Sequence, residues 1–397
     1  MIAALAEGES SIVGLSPGRD VEATARITEQ LGATRRFDGD TVILTGASGG
    51  LRSSATPLDC GNSGTTIRLM TGVVSAVEGQ HVLIGDESLS RRPMDRIAQP
   101  LGLMGSLVEG TGASVRPPLY VTGSIDLVGI DYAVPIASAQ VKSAILFAGL
   151  SGAGPTTVHE DVRTRSTTEE MFRLAGLDVR SDDRRAGRRV TVEPGRPKAV
   201  AWRVPGDPSQ AAFFAVLGAV HADATIEVAD VATARERTGF VGVLQRMGAD
   251  VVLATQSSST SLRSKSSVLR ATEIHASEIP SVDEVPALVV AAAAATGVSV
   301  FREMGELRLK ESDRFDGALA LALALGCRAW SDGDDLFVEG LGSASKFQSF
   351  TFDASLDHRM VMACAIAGCA GAGSSIDGAE TVASSYPGFF DDLESLS

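Results

Sequence analysis

The feature that most constrains this chain is a repeat of about 72 residues. A helix-ending Leu, Met or Ala followed by Gly recurs at Leu31-Gly32, Met104-Gly105, Ala175-Gly176, Met247-Gly248 and Leu325-Gly326, at intervals of 73, 71, 72 and 78 residues. A second marker, an apolar helix ending in a small residue before a strand-like run, falls at Gly8, Gly79, Gly154, Asp223, Gly297 and Gly373. Together they define six units, each with a buried helix, a strand, an amphipathic helix and a hairpin. The amphipathic helix is plainest in Asp20–Leu31 and Glu236–Met247, where apolar residues recur at three- and four-residue steps. Hairpins are expected where Asp38-Gly39 precedes Thr41–Thr45 and Asp332-Gly333 precedes Leu336–Glu339. This alternation predicts an α+β fold rather than a solenoid, since capping units are not apparent. Two three-unit domains of ordinary size follow, 1–206 and 207–397, with the crossover at the Pro-Gly-Asp-Pro-Ser turn Pro205–Ser209.

Each complete buried helix is preceded by a polar loop: Cys60–Arg68, Ile136–Lys142, Pro205–Ala211, Ile279–Pro286 and Ser355–Met360. A Gly- and hydroxyl-rich loop opening a helix offers unpaired N–H groups and a positive dipole end, which suit an anion. Arg68 adds a permanently charged fork. The same loop is also what an N-capped buried helix needs. Five such loops, carrying Arg68, Asp283, His358 and Arg359, tip the balance toward a phosphate or carboxylate site.

The net charge of −14 argues against a nucleic-acid surface and against anionic membranes. Anionic substrates would therefore need basic groups concentrated in one cleft. The four cysteines form no Cys-x-x-Cys pair and the five histidines show no ligand spacing, so neither a metal site nor a disulfide framework is expected. The N-terminus lacks the basic region of a signal peptide, and the longest apolar stretch, Val285–Ala295, is short of a membrane span. A cytoplasmic protein is expected.

Several charged groups admit two readings. Lys310 and Arg314 share a face if Leu307–Arg314 is helical, with Glu311 beside them; a solvated charged helix would look the same. Asp283-Glu284, between Pro280 and Pro286, is a capping pair or contains a general base. Arg91-Arg92-Pro93 precedes a helix expected to start at Met94. His358-Arg359 would put two cations at a helix N-terminus, which is unfavourable unless an anion binds there.

These stretches resemble the 3-phosphoshikimate 1-carboxyvinyltransferase family, also called 5-enolpyruvylshikimate-3-phosphate synthase. The matching residues are Gly61-Asn-Ser-Gly-Thr-Thr-Ile-Arg68, Arg92-Pro-Met94, Ser138-Ala-Gln-Val-Lys-Ser143, Pro205-Gly-Asp-Pro-Ser209, Val282-Asp-Glu-Val-Pro286, Leu307-Arg-Leu-Lys-Glu-Ser-Asp-Arg314, Asp357-His-Arg-Met360 and Tyr386-Pro-Gly-Phe389. The resemblance implies a two-domain enolpyruvyl transferase fold of six βαβαββ repeats, three per domain. It implies transfer of the enolpyruvyl group of phosphoenolpyruvate to the 5-hydroxyl of shikimate 3-phosphate, by addition and then elimination of phosphate, with no metal or other cofactor. Asp283 matches the general base and Glu311 the proton-transfer partner. Gly64, Arg92, Gln140, Arg314 and Arg359 match phosphoenolpyruvate contacts. Ser138, Gln140, Thr164, Asp283 and Lys310 match shikimate 3-phosphate contacts. Small anionic substrates, no nucleic acid, no membrane and a monomeric state are expected.

The sequence departs from the family in three places. The family opens with a hairpin and a Lys/Ser/Arg substrate-binding loop, whereas this chain matches from inside the following helix. The first repeat is therefore expected to be incomplete, the C-terminal domain to lack the hairpin that the N-terminus normally supplies, and the chain as written to be weakly active. Ser384 and Ser385 stand where many members carry a Lys, and Ala139 where some carry a Ser. Gly64, rather than Ala, points to glyphosate sensitivity. The alternatives are an impaired ligand-binding paralogue and a UDP-N-acetylglucosamine 1-carboxyvinyltransferase. The latter family's loop Cys has no counterpart in Gly85–Arg92.

Overall fold

The structure, a computed structural model, describes residues 1–47, 49–184, 187–234, 237–256, 259–354 and 356–396. The chain divides into two compact units, Met1–Val204 and Pro205–Ser397.

The repeat has a backbone cause. Gly32, Gly105, Gly176, Gly248 and Gly326 all have left-handed φ, as do Gly8, Gly79, Gly154, Gly297 and Gly373, between +78° and +112°. The first set ends the amphipathic helices and the second turns the chain from buried helix into strand. Both turns need a conformation that side chains with a Cβ disfavour. Asp223 makes the equivalent turn without a positive φ.

Two of the buried helices have almost no exposed face. Pro208–Val220 exposes only Gln210 to any extent, and every residue of Val285–Ala294 is buried. A helix with no polar face lies inside its domain. In the first unit, Gly64–Ser75 and Ala139–Gly149 pack so closely that a Cβ on Gly72 would sit 2.2 Å from the Ala144 carbonyl oxygen. The amphipathic layer includes Arg19–Gln30, Asp95–Met104, Thr167–Leu174, Gly239–Arg246 and Arg314–Ala324. The helix expected over Glu236–Met247 is thus shorter, and Glu236 lies outside the described residues, as do Ser355 and Ser397.

Three sheets are built the same way. In them a short strand entering a buried helix pairs in parallel with the strand leaving it, and that strand pairs antiparallel with a hairpin. The order Leu58–Asp59, Gly79–Ile84, Arg116–Gly123, Leu107–Thr111 shows the pattern, and Glu273–His275, Thr296–Arg302, Asp335–Leu341, Arg328–Asp332 repeats it. Both expected hairpins form, with Asp38 opposite Thr41 and Asp332 opposite Asp335 across two-residue turns holding Gly39 and Gly333. The strand Ala201–Arg203 joins Glu9–Val13 in the first sheet. Among the described residues the last sheet has two strands, Phe350–Asp353 and Ser374–Asp377. The polar loops of interest therefore all sit where a parallel strand hands over to a buried helix.

Candidate active site

In the first unit, Ser63 caps helix Gly64–Ser75 by accepting from the Thr66 N–H at 3.1 Å. That frees the next turn to present Thr65 and Arg68 toward the neighbouring helix. Arg68 Nη1 donates to Gln140 Oε1 at 2.6 Å, and Gln140 Nε2 donates to Thr65 Oγ1 at 2.8 Å. The Gln140 amide is thus oriented from both ends. Arg92 is 8% exposed and donates through Nη2 to Asn62 Oδ1 at 3.0 Å, while Asn62 Nδ2 donates to Asp86 at 2.6 Å. Arg92 Nη1 and Arg68 Nη1 both press on Gly64, where a Cβ would lie 2.8 and 2.9 Å from them. Two guanidinium groups therefore meet at a helix N-terminus, an arrangement suited to a phosphate or carboxylate.

Ser138 caps helix Ala139–Gly149, accepting from the Val141 N–H at 3.4 Å. Thr164 lies on the loop after strand Thr156–Glu160 and donates to Glu160 Oε1. The expected first-unit residues Gly64, Arg92 and Gln140 are brought together around Arg68. Pro93 precedes helix Asp95–Met104 by two residues instead of opening it, and Met94 is its N-cap.

The second unit holds a denser cluster, centred on Arg314. Its side chain has no exposed surface. Nε donates to Asp357 Oδ2 at 2.8 Å and Nη2 to Asp357 Oδ1 at 3.2 Å; Nη1 donates to Asp283 Oδ1 at 3.1 Å, and Nη2 also to Glu311. Burial opposes the charge, but Asp357, Glu311 and Asp283 outweigh it and raise the Arg314 pKa. Asp357 responds in kind: burial pushes its pKa up, but the charge and hydrogen bond of Arg314, with further nearby positive charge, together outweigh it and leave it below the usual carboxylate value. Arg359 Nη2 donates to the other oxygen of Asp283 at 3.3 Å. Asp283 is therefore held between two guanidinium groups.

The backbone helps to aim these carboxylates. Val282, just before Asp283, has φ +50°, and Leu356, just before Asp357, has φ +61°. Side chains with a Cβ disfavour this region, a β-branched one most strongly, and such strain gathers at functional sites. Glu284 turns the other way and is buried. It accepts from Ser281 Oγ at 2.7 Å and from Ser209 Oγ, and burial beside Asp283 pushes its pKa up.

Three expectations are corrected. Leu307–Arg314 is not one helix: Met304–Leu309 is a 3₁₀ turn, Lys310 is extended, and Asp313 caps a new helix beginning at Arg314. Lys310 and Arg314 share no helical face; Lys310 Nζ instead donates to the Ser281 carbonyl at 3.2 Å and to Glu306 at 3.0 Å. Asp283-Glu284 is not a capping pair, because helix Val285–Ala294 has no side-chain cap. His358-Arg359 is not a cationic pair: burial, then the Arg359 charge, lower the His358 pKa to about 4, leaving a neutral imidazole at neutral pH. Nor is this cluster simply basic, since Lys310, Arg314 and Arg359 all face acidic partners. The long-range partnerships of Asp357 and Glu284 escaped the sequence reading. Each residue contacts groups 43 to 75 residues away, and a local pattern carries no such signal.

Among the described residues, no group of three or more His, Cys, Asp or Glu is placed to hold a metal ion, and no helix is long and apolar enough to cross a membrane.

Residues 1–393 match the family model described as EPSP synthase (3-phosphoshikimate 1-carboxyvinyltransferase). A 3-phosphoshikimate 1-carboxyvinyltransferase of Geobacillus kaustophilus (strain HTA426) is 38% identical over 405 residues, covering 100% of this chain and 93% of the relative. That of Anaeromyxobacter sp. (strain K) is 39% identical over 407 residues, covering 100% and 90%. Among solved structures, EPSP synthase from Acinetobacter baumannii superposes with a TM-score of 0.86 at 35% identity, covering 100% of this chain and 92% of that one. The enolpyruvyl transferase NikO from Streptomyces tendae, at 18% identity and a TM-score of 0.76, shares the fold.

Proposed function

The chain belongs to the EPSP synthase family, whose 3-phosphoshikimate 1-carboxyvinyltransferases move the enolpyruvyl group of phosphoenolpyruvate onto shikimate 3-phosphate in aromatic amino-acid biosynthesis, and from that premise we propose how its residues divide the work. The reaction adds the 5-hydroxyl oxygen to C2 of phosphoenolpyruvate and a proton to its methylene carbon. It then expels phosphate and removes a proton from the new methyl group. It needs a base, an acid, and cations for two phosphates and two carboxylates. The addition and elimination involve no net oxidation or reduction, so no redox cofactor is called for.

Asp283 takes the proton of the 5-hydroxyl. Glu311 moves the proton at the methylene carbon. Gly64, Arg92, Gln140, Arg314 and Arg359 receive phosphoenolpyruvate, the glycine by leaving room for the arginines. Ser138, Gln140, Thr164, Asp283 and Lys310 receive shikimate 3-phosphate. The observation that supports this most is that Asp283 and Glu311 both rest on the head of Arg314, which Asp357 locks from behind. The base and the proton-transfer group thus share one buried reference point. In the free protein Arg314 and Arg359 are occupied by carboxylates, and a doubly charged phosphate competes for them. A cytoplasmic monomer is the accompanying expectation.

The test is direct. The purified protein is incubated with phosphoenolpyruvate and either shikimate 3-phosphate or UDP-N-acetylglucosamine, with ³¹P NMR following both phosphate release and the enolpyruvyl product. Turnover only with shikimate 3-phosphate is expected. Turnover with the nucleotide sugar alone, or binding without any product, would overturn the proposal.

A further inference from the structure

Two polar residues of the Ser138–Ser143 stretch have no part in the scheme above. Lys142 and Ser143 lie on the helix that carries Ser138 and Gln140, and both hold the segment bearing Thr164. Lys142 is fully buried. Its ammonium lies 2.9 Å from Glu160 Oε2, 2.7 Å from Glu169 Oε1 and 3.0 Å from the backbone carbonyl oxygen of Arg165. Glu160 and the Arg165 carbonyl accept hydrogen bonds from it, and Glu169 pairs with it by charge. The other oxygen of Glu160 accepts the Thr164 hydroxyl. One residue further on, the Ser143 and Thr168 hydroxyls are 2.7 Å apart.

These contacts span the loop from both ends. Glu160 closes strand Thr156–Glu160, Glu169 lies in helix Thr167–Leu174, and the Arg165 carbonyl is between them. An apolar side chain would fill the Lys142 position at a lower desolvation cost. It would not fix the direction of a hydroxyl group. Both oxygens of Glu169 are buried without a hydrogen-bond partner. With two glutamates against one lysine, the triad holds one carboxylate more than its single ammonium neutralises.

We infer that Lys142 and Glu160 are positioning residues for shikimate 3-phosphate, acting through the Thr164 hydroxyl. The inference rests on the assignment of Thr164 to that substrate. Glu160→Gln removes the surplus carboxylate charge and leaves Lys142 paired with Glu169, which favours retention of the fold.

The experiment is a double-mutant cycle on the Kd for shikimate 3-phosphate, measured by titration calorimetry with Glu160→Gln, Thr164→Val and the double variant of the full chain. Thr164→Val should weaken binding about tenfold and Glu160→Gln about fivefold, the range of one hydrogen bond to a charged ligand. The double variant should bind no more weakly than Thr164→Val alone, and Thr164→Ser should bind as the parent does. Multiplying effects in the double variant, or no effect of Glu160→Gln, would overturn the positioning role while leaving the Thr164 assignment intact. No effect of Thr164→Val would overturn that assignment and the inference with it. If Glu160→Gln yields no folded protein, Lys142→Arg, whose planar head cannot meet the same three oxygens, takes its place in the cycle.

Discussion

Gly64 and Arg92 are fitted to each other: a Cβ on the glycine would stand 2.8 Å from Nη1 of the arginine, inside the closest approach that such atoms make. Arg68 Nη1 closes the other side at 2.9 Å. The missing side chain is therefore what lets two guanidinium groups share one helix N-terminus.

Gly64→Ala should displace one or both of these groups without harming the fold, since Ala favours a helix over Gly. The expected result is a KM for phosphoenolpyruvate raised about tenfold, short of the loss of a whole charge-assisted hydrogen bond at about 1.5–3 kcal/mol. The melting temperature should not fall. Steady-state kinetics and calorimetry on the same preparation check both; an unchanged KM would show that the crowding has no consequence.

Asp357→Ala should be the most destabilising change in the second unit. It leaves the wholly buried Arg314 without its two-oxygen partner, a loss of about 3–5 kcal/mol. Urea unfolding measures it. A loss below about 1 kcal/mol would mean that Asp283 and Glu311 suffice to hold the guanidinium.

Asp283→Asn keeps the shape and removes the base. A fall in kcat of about 10²- to 10⁴-fold is expected. The change should leave shikimate 3-phosphate bound, as equilibrium titration would show. Retention of kcat would transfer the base role elsewhere.

The stability of the protein should fall on mild acidification, in part through His358. Its pKa is about 4 when folded against an ordinary 6.5. Between these values the unfolded chain binds a proton that the native imidazole does not, so unfolding gains as pH drops. The contribution is fully present above about 6.5 and lost as pH falls to about 4, up to about 3 kcal/mol in all. His358→Gln should lose correspondingly less stability between pH 7 and 4.5 in urea titrations. Parallel losses in the two proteins would exclude the imidazole as a source.

The repeat was legible because its glycines mark turns that few other residues make, and Gly32 through Gly326 bear this out by their φ angles. Hairpins at Gly39 and Gly333 were legible for the same reason. What local pattern missed was pairing across distance and the end of local order. Leu307–Arg314 has the charge spacing of a helix, yet Asp313 caps the next helix and so ends the run before Arg314. Asp357 looked like an ordinary helix cap, which it is, accepting from the Arg359 N–H at 2.9 Å. Its partnership with Arg314, 43 residues earlier, is a tertiary fact. Lys142 sat in plain view within a recognisable stretch, but its two glutamates come from other elements.

The left-handed Leu356 sets the interests of a protein engineer against those of the enzyme. A library ranked only by heat resistance would favour Gly at this half-exposed position, because relief of a strained residue that buries little registers as added stability. Winners of that contest would carry a less firmly aimed Asp357. Screens for robust variants of this protein therefore need turnover as a second criterion at residue 356, where the same backbone that costs the fold some firmness points its carboxylate.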